Sequence, residues 1–259
     1  MLSDGVDPKE HTAPRLYREL AEWMPLVTAE RDYRLEASIY RRLFLTHDPN
    51  TRTVLELGCG AGNNAYHLKR RFDMTLVDVS PEMLELCRTK NPGCEHVLGD
   101  MRSVRLHKQF DAVFIHDAIS YMTTLDDLSS AIKTAFEHCK PGGQLIIQPD
   151  FLKETFREGT SHGGNDGESR SARYLQWIRD PDPNDSTYVV EFALFLARAD
   201  GSVSLEHDTH LMGVFSEREW FEVLCCAGFC PEIVQEPFTH EGFTHLHLDI
   251  VVGRRQAEG

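Results

Sequence analysis

Between residues 53 and 148, short continuous apolar runs alternate with stretches whose apolar positions recur at helical spacing. The runs at 53–57, 74–79, 94–98, 110–116 and 144–148 have strand length and are bounded by Gly, Pro, Asn or Asp, as expected of strands covered on both faces. Helices are predicted between them over 63–71, 81–90 and 125–139. Ser80 supplies an N-cap and Pro81 a first-turn proline for the second of these. Asn91-Pro92-Gly93 and Pro141-Gly142-Gly143 read as turns, and Gly99-Asp100-Met101 as the exit loop of the third strand. This alternation predicts an α/β fold with a doubly wound parallel sheet. Ahead of it, Leu16, Tyr17, Leu20, Trp23 and Met24, then Leu35, Ile39, Tyr40, Leu43 and Phe44, predict two N-terminal helices separated by a break at Pro25.

After residue 148 the pattern changes. Residues 157–172 are rich in Gly, Ser and charge, which predicts a mobile connection, either a linker or a gate. Three strands follow at 173–178, 187–199 and 202–214, the last two joined by the hairpin signal Asp200-Gly201. They predict an antiparallel β lid inserted into the parallel fold. Ser216 and Glu219 form a capping box for a helix that Gly228 ends, and runs at 229–235 and 244–252 give a last antiparallel pair at the sheet edge. The chain therefore divides into a flexible tail (1–13), N-terminal helices with a cofactor-binding core (14–156), the lid (157–214) and a C-terminal return to the core sheet (215–259).

Composition narrows the partners. A formal charge of -14 over 259 residues disfavours nucleic acid or an anionic membrane, and suits a neutral or cationic small molecule. Seven cysteines without a CxxC pair read as reduced thiols, with Cys225 and Cys226 expected to be buried on their helix. With no leader pattern and no apolar run of membrane-spanning length, the expectation is a soluble cytoplasmic enzyme. Its expected partners are a small-molecule substrate and, at most, a second copy of the chain as a homodimer.

The chemistry centres on Val54-Leu55-Glu56-Leu57-Gly58-Cys59-Gly60-Ala61-Gly62-Asn63, a strand turning into a helix through three alternating glycines. A nicotinamide-binding turn needs a glycine at the sixth position, where this chain has Asn63. Asp78 ends the second strand, where a carboxylate can accept both hydroxyls of a ribose, and Asp100-Met101 follows the third. These features resemble the class I S-adenosylmethionine-dependent methyltransferases. The resemblance implies a seven-stranded Rossmann-like sheet with its last strand antiparallel, and S-adenosyl-L-methionine as cofactor. It assigns Glu56 and the backbone of Gly58, Cys59, Gly60 and Asn63 to the methionine part, and Asp78 to the ribose. Asp100 and Met101 go to the adenine, with Val79, Met83, Arg102 and His116 completing the site. A finer resemblance is to small-molecule N-methyltransferases that dimethylate nucleotide-linked amino sugars. It rests on Phe110-Asp111-Ala112-Val113, Glu154-Thr155-Phe156, and Glu206-His207 leading to Phe215-Ser216-Glu217-Arg218.

A sulfonium methyl is already activated, so such an enzyme mainly aligns the acceptor and excludes water. His116 and Asp117, at the end of the fourth strand, and Tyr121 just beyond are the candidate catalytic residues. Tyr17, Tyr33, Tyr121, Asp150 and His207 are the candidate acceptor-binding residues. His207 with His210 and Glu206 could be read as a metal site, but no further ligand follows at a metal-like interval; the same holds for His245 and His247, and no metal is expected. The closest rival is an O-methyltransferase for a hydroxyl or carboxylate metabolite; an amine acceptor predicts Asp117 and Asp150 in the pocket, whereas a carboxylate acceptor would turn Arg173 or Arg179 inward. A nicotinamide-dependent oxidoreductase and a silent cofactor-binding protein are the rivals from other classes. Asn63 and the lack of a Tyr-x-x-x-Lys pair argue against the oxidoreductase.

Overall fold

The computed structural model describes residues 13–28, 30–237 and 247–257. The expected tail, apart from Ala13, lies outside the described residues, as do His245 and the His247 side chain. The apolar runs form β1 (Thr53–Leu57), β2 (Asp73–Asp78), β3 (Glu95–Leu98), β4 (Phe110–Ile115) and β5 (Cys139–Ile147). With β10 (Phe229–Pro237) and β11 (His247–Arg255) they make one seven-stranded sheet of order β10-β11-β5-β4-β1-β2-β3. Strands β1 to β5 pair in parallel, while β11 runs antiparallel between β5 and β10.

Because successive strand residues point to opposite faces, each run feeds two cores. Val54, Phe114, Ile146 and Ile250 pack against Tyr40 and Phe44 of α2 (Glu30–His47), Leu68 of α3 (Asn63–Leu68) and Leu84 of α4 (Pro81–Lys90). Their neighbours Leu55, Ile115, Ile147 and Val251 pack against Leu128 and Ile132 of α5 (Leu125–His138) and Trp220 and Leu224 of α6 (Glu217–Ala227). Each such aliphatic or aromatic side chain, buried fully, stabilises the fold by about 1.5–3 kcal/mol. Among the described residues no helix is long and apolar enough to cross a membrane.

A second sheet, of order β6-β7-β8-β9, is wholly antiparallel and comprises β6 (Gly159–Gly163), β7 (Ser171–Arg179), β8 (Thr187–Ala197) and β9 (Val203–Gly213). Its inner face meets the N-terminal segment through Ala172, Leu194 and Leu196 against Leu16, Leu20, Trp23 and Met24. Nearer the core, Tyr188, Val190 and Met212 close on Phe151.

Four expectations need correction. The N-terminal stripe is not a full helix: 3₁₀ turns at Arg15–Tyr17 and Ala21–Trp23 lead into the single turn α1 (Met24–Val27). Pro25 sits in the first turn of α1, where its missing N–H costs nothing, so it starts a helix rather than breaking one. Strand β5 begins five residues early and carries Pro141-Gly142-Gly143 within it, absorbed by a register shift opposite Phe110 and Ala112. The glycine-rich connection contains β6, so the second sheet has four strands rather than three. Its glycines serve close approach: a Cβ on Gly164 would lie 2.1 Å from the Ala172 oxygen. Finally, Cys225 and Cys226 are exposed, on the outer side of α6.

The capping box of α6 forms as read, with the Ser216 side chain accepting the Glu219 N–H and Glu219 answering to the Ser216 N–H. Ser216→Ala should therefore lower unfolding free energy by about 1 kcal/mol in a denaturant titration. A loss within a few tenths would mean that Glu154, which accepts the Glu217 N–H, holds the helix start alone.

Candidate active site

The glycine turn is pinned from below by β2. The N–H groups of Gly58 and Cys59 both donate to the Val77 carbonyl, at 2.8 and 2.9 Å. Gly58 has φ +74°, and a Cβ there would fall 2.3 Å from the Ala118 Cβ, because the loop after β4 closes directly over it. Gly62, at φ +73°, lets Asn91 at the end of α4 approach and donate to the Gly62 carbonyl at 3.0 Å. Asp78 ties the turn sideways: its Oδ2 accepts the Gly60 N–H at 2.7 Å and its Oδ1 the Ser80 N–H at 2.9 Å. Burial raises the Asp78 pKa against those hydrogen bonds. Asn63 is held between the Thr28 hydroxyl and the Lys90 ammonium. Asp100 accepts the Arg102 backbone N–H and, at 2.6 Å, its guanidinium, which also reaches Asp127 at 2.8 Å. Met83 and Met101 are buried beside the turn, and Val79 is half exposed at its rim.

All of these except Gly62, Val77, Lys90 and Asn91 line a cavity of about 1880 Å³ between the C-terminal ends of β1, β2 and β4 and the second sheet. Glu56 and Asn64 also line it, and each is buried with an oxygen that has no hydrogen-bond partner among the described residues. Burial, with a smaller push from Cys87, lifts the Glu56 carboxyl to about 8. A buried acceptor without a donor is costly, so this pair is a place for a ligand's N–H or ammonium group.

Across the cavity, His116 lies between two carboxylates, 2.9 Å from Glu36 Oε2 through Nε2 and 3.2 Å from Asp117 Oδ2 through Nδ1. Burial alone would lower its pKa, but Asp117 and Glu36 outweigh it and hold the imidazole well above its usual range. The two carboxylates thus favour the protonated imidazole. Asp150 is open to the cavity, and the protein packed about the cavity wall, reinforced by Asp117, pushes it up to about 7 against the hydrogen bond from Tyr188 at 3.0 Å. Tyr17 and Tyr121 meet hydroxyl to hydroxyl at 3.0 Å, and the Tyr121 hydroxyl lies 2.8 Å from His210 Nδ1. Tyr33 lines the same wall, its ring 6.2 Å from that of His116.

All the expected site residues except His207 line the cavity. His207 points to the outer face of β9 and pairs with Glu191, because the strand alternation that turns His210 inward turns His207 outward. Three contributors escaped the sequence: Glu36, Asn64 and Tyr188. Glu36 lies three residues after Tyr33 on one face of α2, a spacing that could have singled it out. Arg173 and Arg179 do not turn inward but pair with Asp166 and Glu191.

The sheet order, the glycine turn after β1 and the acids after β2 and β3 define the class I nucleotide-cofactor methyltransferases, and residues 54–143 match the methyltransferase domain family. The chain is an S-adenosylmethionine-dependent methyltransferase. It is similar to a dTDP-3-amino-3,4,6-trideoxy-alpha-D-glucopyranose N,N-dimethyltransferase of Streptomyces venezuelae, 29% identical over 79% of this chain and 86% of that one. A dTDP-3-amino-3,6-dideoxy-alpha-D-glucopyranose N,N-dimethyltransferase of Streptomyces fradiae is 25% identical over 83% and 86%. In fold it matches the sugar N-methyltransferase KedS8 from Streptoalloteichus sp ATCC 53650, with TM-score 0.78, 24% identity and 99% of each chain covered. The site fits the donor, whose amino-acid end carries the ammonium group that Glu56 and Asn64 lack. When bound, the donor supplies a methyl activated by the sulfonium charge.

Gly58→Ala should cripple this site twice over, through a left-handed φ that an L side chain resists and through contact with Ala118. The expected result is a lower melting temperature and loss of saturable S-adenosylmethionine binding by calorimetry. Unchanged binding would mean that the loop after β4 yields.

Proposed function

We propose that the acceptor is the amine of a small metabolite, an amino sugar carried on a nucleotide. The observation that carries this reading is the acidic wall of Glu36, Asp117 and Asp150 around His116, with both Arg173 and Arg179 turned away from the cavity. A carboxylate acceptor would meet repulsion there; an amine meets counter-charge and the hydroxyls of Tyr17 and Tyr121. The names of the two dimethyltransferase relatives support the same acceptor class. Arg157, at the lid end of the cavity, supplies positive charge that suits a diphosphate.

On this reading Glu56 and Asn64 hold the ammonium of the methionine part, Asp78 the ribose hydroxyls, and Asp100, Met101 and Arg102 the adenine. His116 is a positioning residue rather than a base, since the carboxylates on both sides of it favour the form that already carries its proton. Asp117, Asp150 and Tyr121 face the acceptor, and in-line alignment with exclusion of water supplies most of the acceleration.

Glu56 binds a proton in the free protein below about pH 8 and would ionise against an ammonium group. S-adenosylmethionine binding at neutral pH should therefore release a proton, seen by calorimetry in buffers of different ionisation enthalpy. Glu56→Gln should abolish that release and weaken binding by about 1.5–3 kcal/mol. Release that survives the substitution would remove Glu56 from this role.

For the acceptor, turnover should be screened against amines, amino sugars and small carboxylic acids with homocysteine as readout. Amino sugars should react and acids should not. Because Asp150 is charged above about pH 7 and neutral below it, KM for a cationic amine should rise as the pH falls through that value, and Asp150→Asn should flatten the slope. Turnover of acids alone would sink the proposal.

A further inference from the structure

Asp208, His210, Tyr121 and Tyr17 form a continuous hydrogen-bonded chain that runs from the second sheet to the acceptor side of the cavity. Asp208 Oδ2 accepts the Leu16 N–H at 2.7 Å and lies 3.1 Å from His210 Nε2. His210 Nδ1 lies 2.8 Å from the Tyr121 hydroxyl, itself 3.0 Å from that of Tyr17. Asp208 and His210 are both buried. The direction of each bond follows from its far end. A carboxylate only accepts, so the imidazole proton sits on Nε2 and Nδ1 is left as an acceptor. The single Tyr121 proton can go to Nδ1 or to the Tyr17 oxygen; with Nδ1 as an acceptor it goes to Nδ1, the Tyr17 hydroxyl turns to donate to Tyr121, and one lone pair of the Tyr121 oxygen is left for the cavity. Although burial opposes it, His210 and the Leu16 N–H keep Asp208 below the usual carboxylate range, so the anchoring charge is present at neutral pH.

We propose that Asp208 and His210 make the Tyr121 oxygen an obligate hydrogen-bond acceptor for the substrate N–H and, through it, take up the proton that a methylated amine must lose before a second methylation. This rests on the amine-acceptor reading. The N–H bond of the methylated ammonium breaks and its electron pair stays on nitrogen. The proton joins the Tyr121 oxygen as Tyr121's own proton passes to Nδ1, and the positive charge ends on His210 beside Asp208. A lysine-like amine holds its proton about four pKa units more tightly than a free imidazole. Enclosure of the ammonium in the cavity narrows that gap. The other titratable or charged groups about His210 are Tyr17 and Arg15 on the N-terminal turn, with Tyr188 and Asp150 behind Tyr121; Phe192 of β8 covers its ring at 4.9 Å.

Two measurements test this. Nitrogen-15 NMR of the histidine-labelled protein, with the His210 signals identified by their loss in His210→Gln, should show the Nε2–H tautomer, and Asp208→Asn should abolish that preference. An Nδ1–H tautomer, or one indifferent to Asp208→Asn, overturns the proposal without any substrate. In turnover, His210→Gln should lower kcat by about 10²-fold, accumulate monomethylated product and recover at high pH. KM and S-adenosylmethionine affinity should stay within about threefold. Tyr121→Phe should show the same loss of kcat and the same monomethylated product, with KM raised as well because it also loses the bond to the substrate N–H, and melting curves should exclude unfolding, with the near-isosteric Asp208→Asn as the second variant. Normal dimethylation with an unchanged pH profile in His210→Gln overturns the relay while leaving the amine reading intact. A wild-type enzyme that methylates no amine overturns that reading and the proton-uptake step together, and the tautomer still decides the hydrogen-bonding half.

Discussion

The structure depends on one constraint at the end of β1: bare backbone must be exposed to a ligand while remaining fixed. Backbone groups left open to a cavity lose their ladder partners, and the turn answers by borrowing from β2. The Val77 carbonyl takes two N–H groups and the Asp78 carboxylate a third, so Gly58, Cys59 and Gly60 are all anchored to one neighbouring strand. The positive φ angles at Gly58 and Gly60 accompany that anchoring and the one at Gly62 the approach of Asn91, and each costs little only because no Cβ is present. Asp78 is thus both a strut and a site residue.

The second half of the cavity has a different logic. It is closed by segments remote in sequence, the N-terminal turns and the second sheet, which hold each other as well as the core. Leu16 donates to Asp208, Arg15 reaches Glu206 and the His207 carbonyl, and Asn165 clasps the Leu26 carbonyl. A packed apolar layer joins Trp23 and Met24 to Leu194 and Leu196. Opening this roof would expose that layer, so access to the acceptor is coupled to the N-terminal strap.

What was legible in the sequence divides along the same line. The parallel core could be read because strands covered on both faces are continuous apolar runs and helix ends carry local signals such as Ser80-Pro81 and Ser216 with Glu219. The lining about the glycine turn was legible for a related reason: its residues lie at strand ends in chain order. The acceptor side was not, since it is assembled by long-range contact. His207 and His210 differ only in strand parity, and parity decides which one enters the cavity. Strand β6 was hidden because glycines required for close approach at Ala172 and Tyr174 look the same in sequence as glycines that confer mobility. Glu36 was hidden because a carboxylate on a helix is ordinarily solvated, and only the fold places it on His116.

The distribution of charge across the cavity connects these halves. Methyl transfer to an amine moves a positive charge from the donor's sulfur to the acceptor's nitrogen, so charge that faces the nitrogen favours the forward direction more than charge near the donor. The protein concentrates its carboxylates accordingly. Glu36, Asp117 and Asp150 cluster about one imidazole on the wall proposed to face the acceptor. On the donor side Glu56 is held near neutrality by burial, and Asp78 and Asp100 are already engaged by backbone N–H groups and by Arg102. Burial therefore does more than exclude water here. On the amine reading it keeps the donor side from competing for the charge that the acceptor side would receive, and it leaves Tyr121, backed by His210 and Asp208, as the polar group through which that charge would leave.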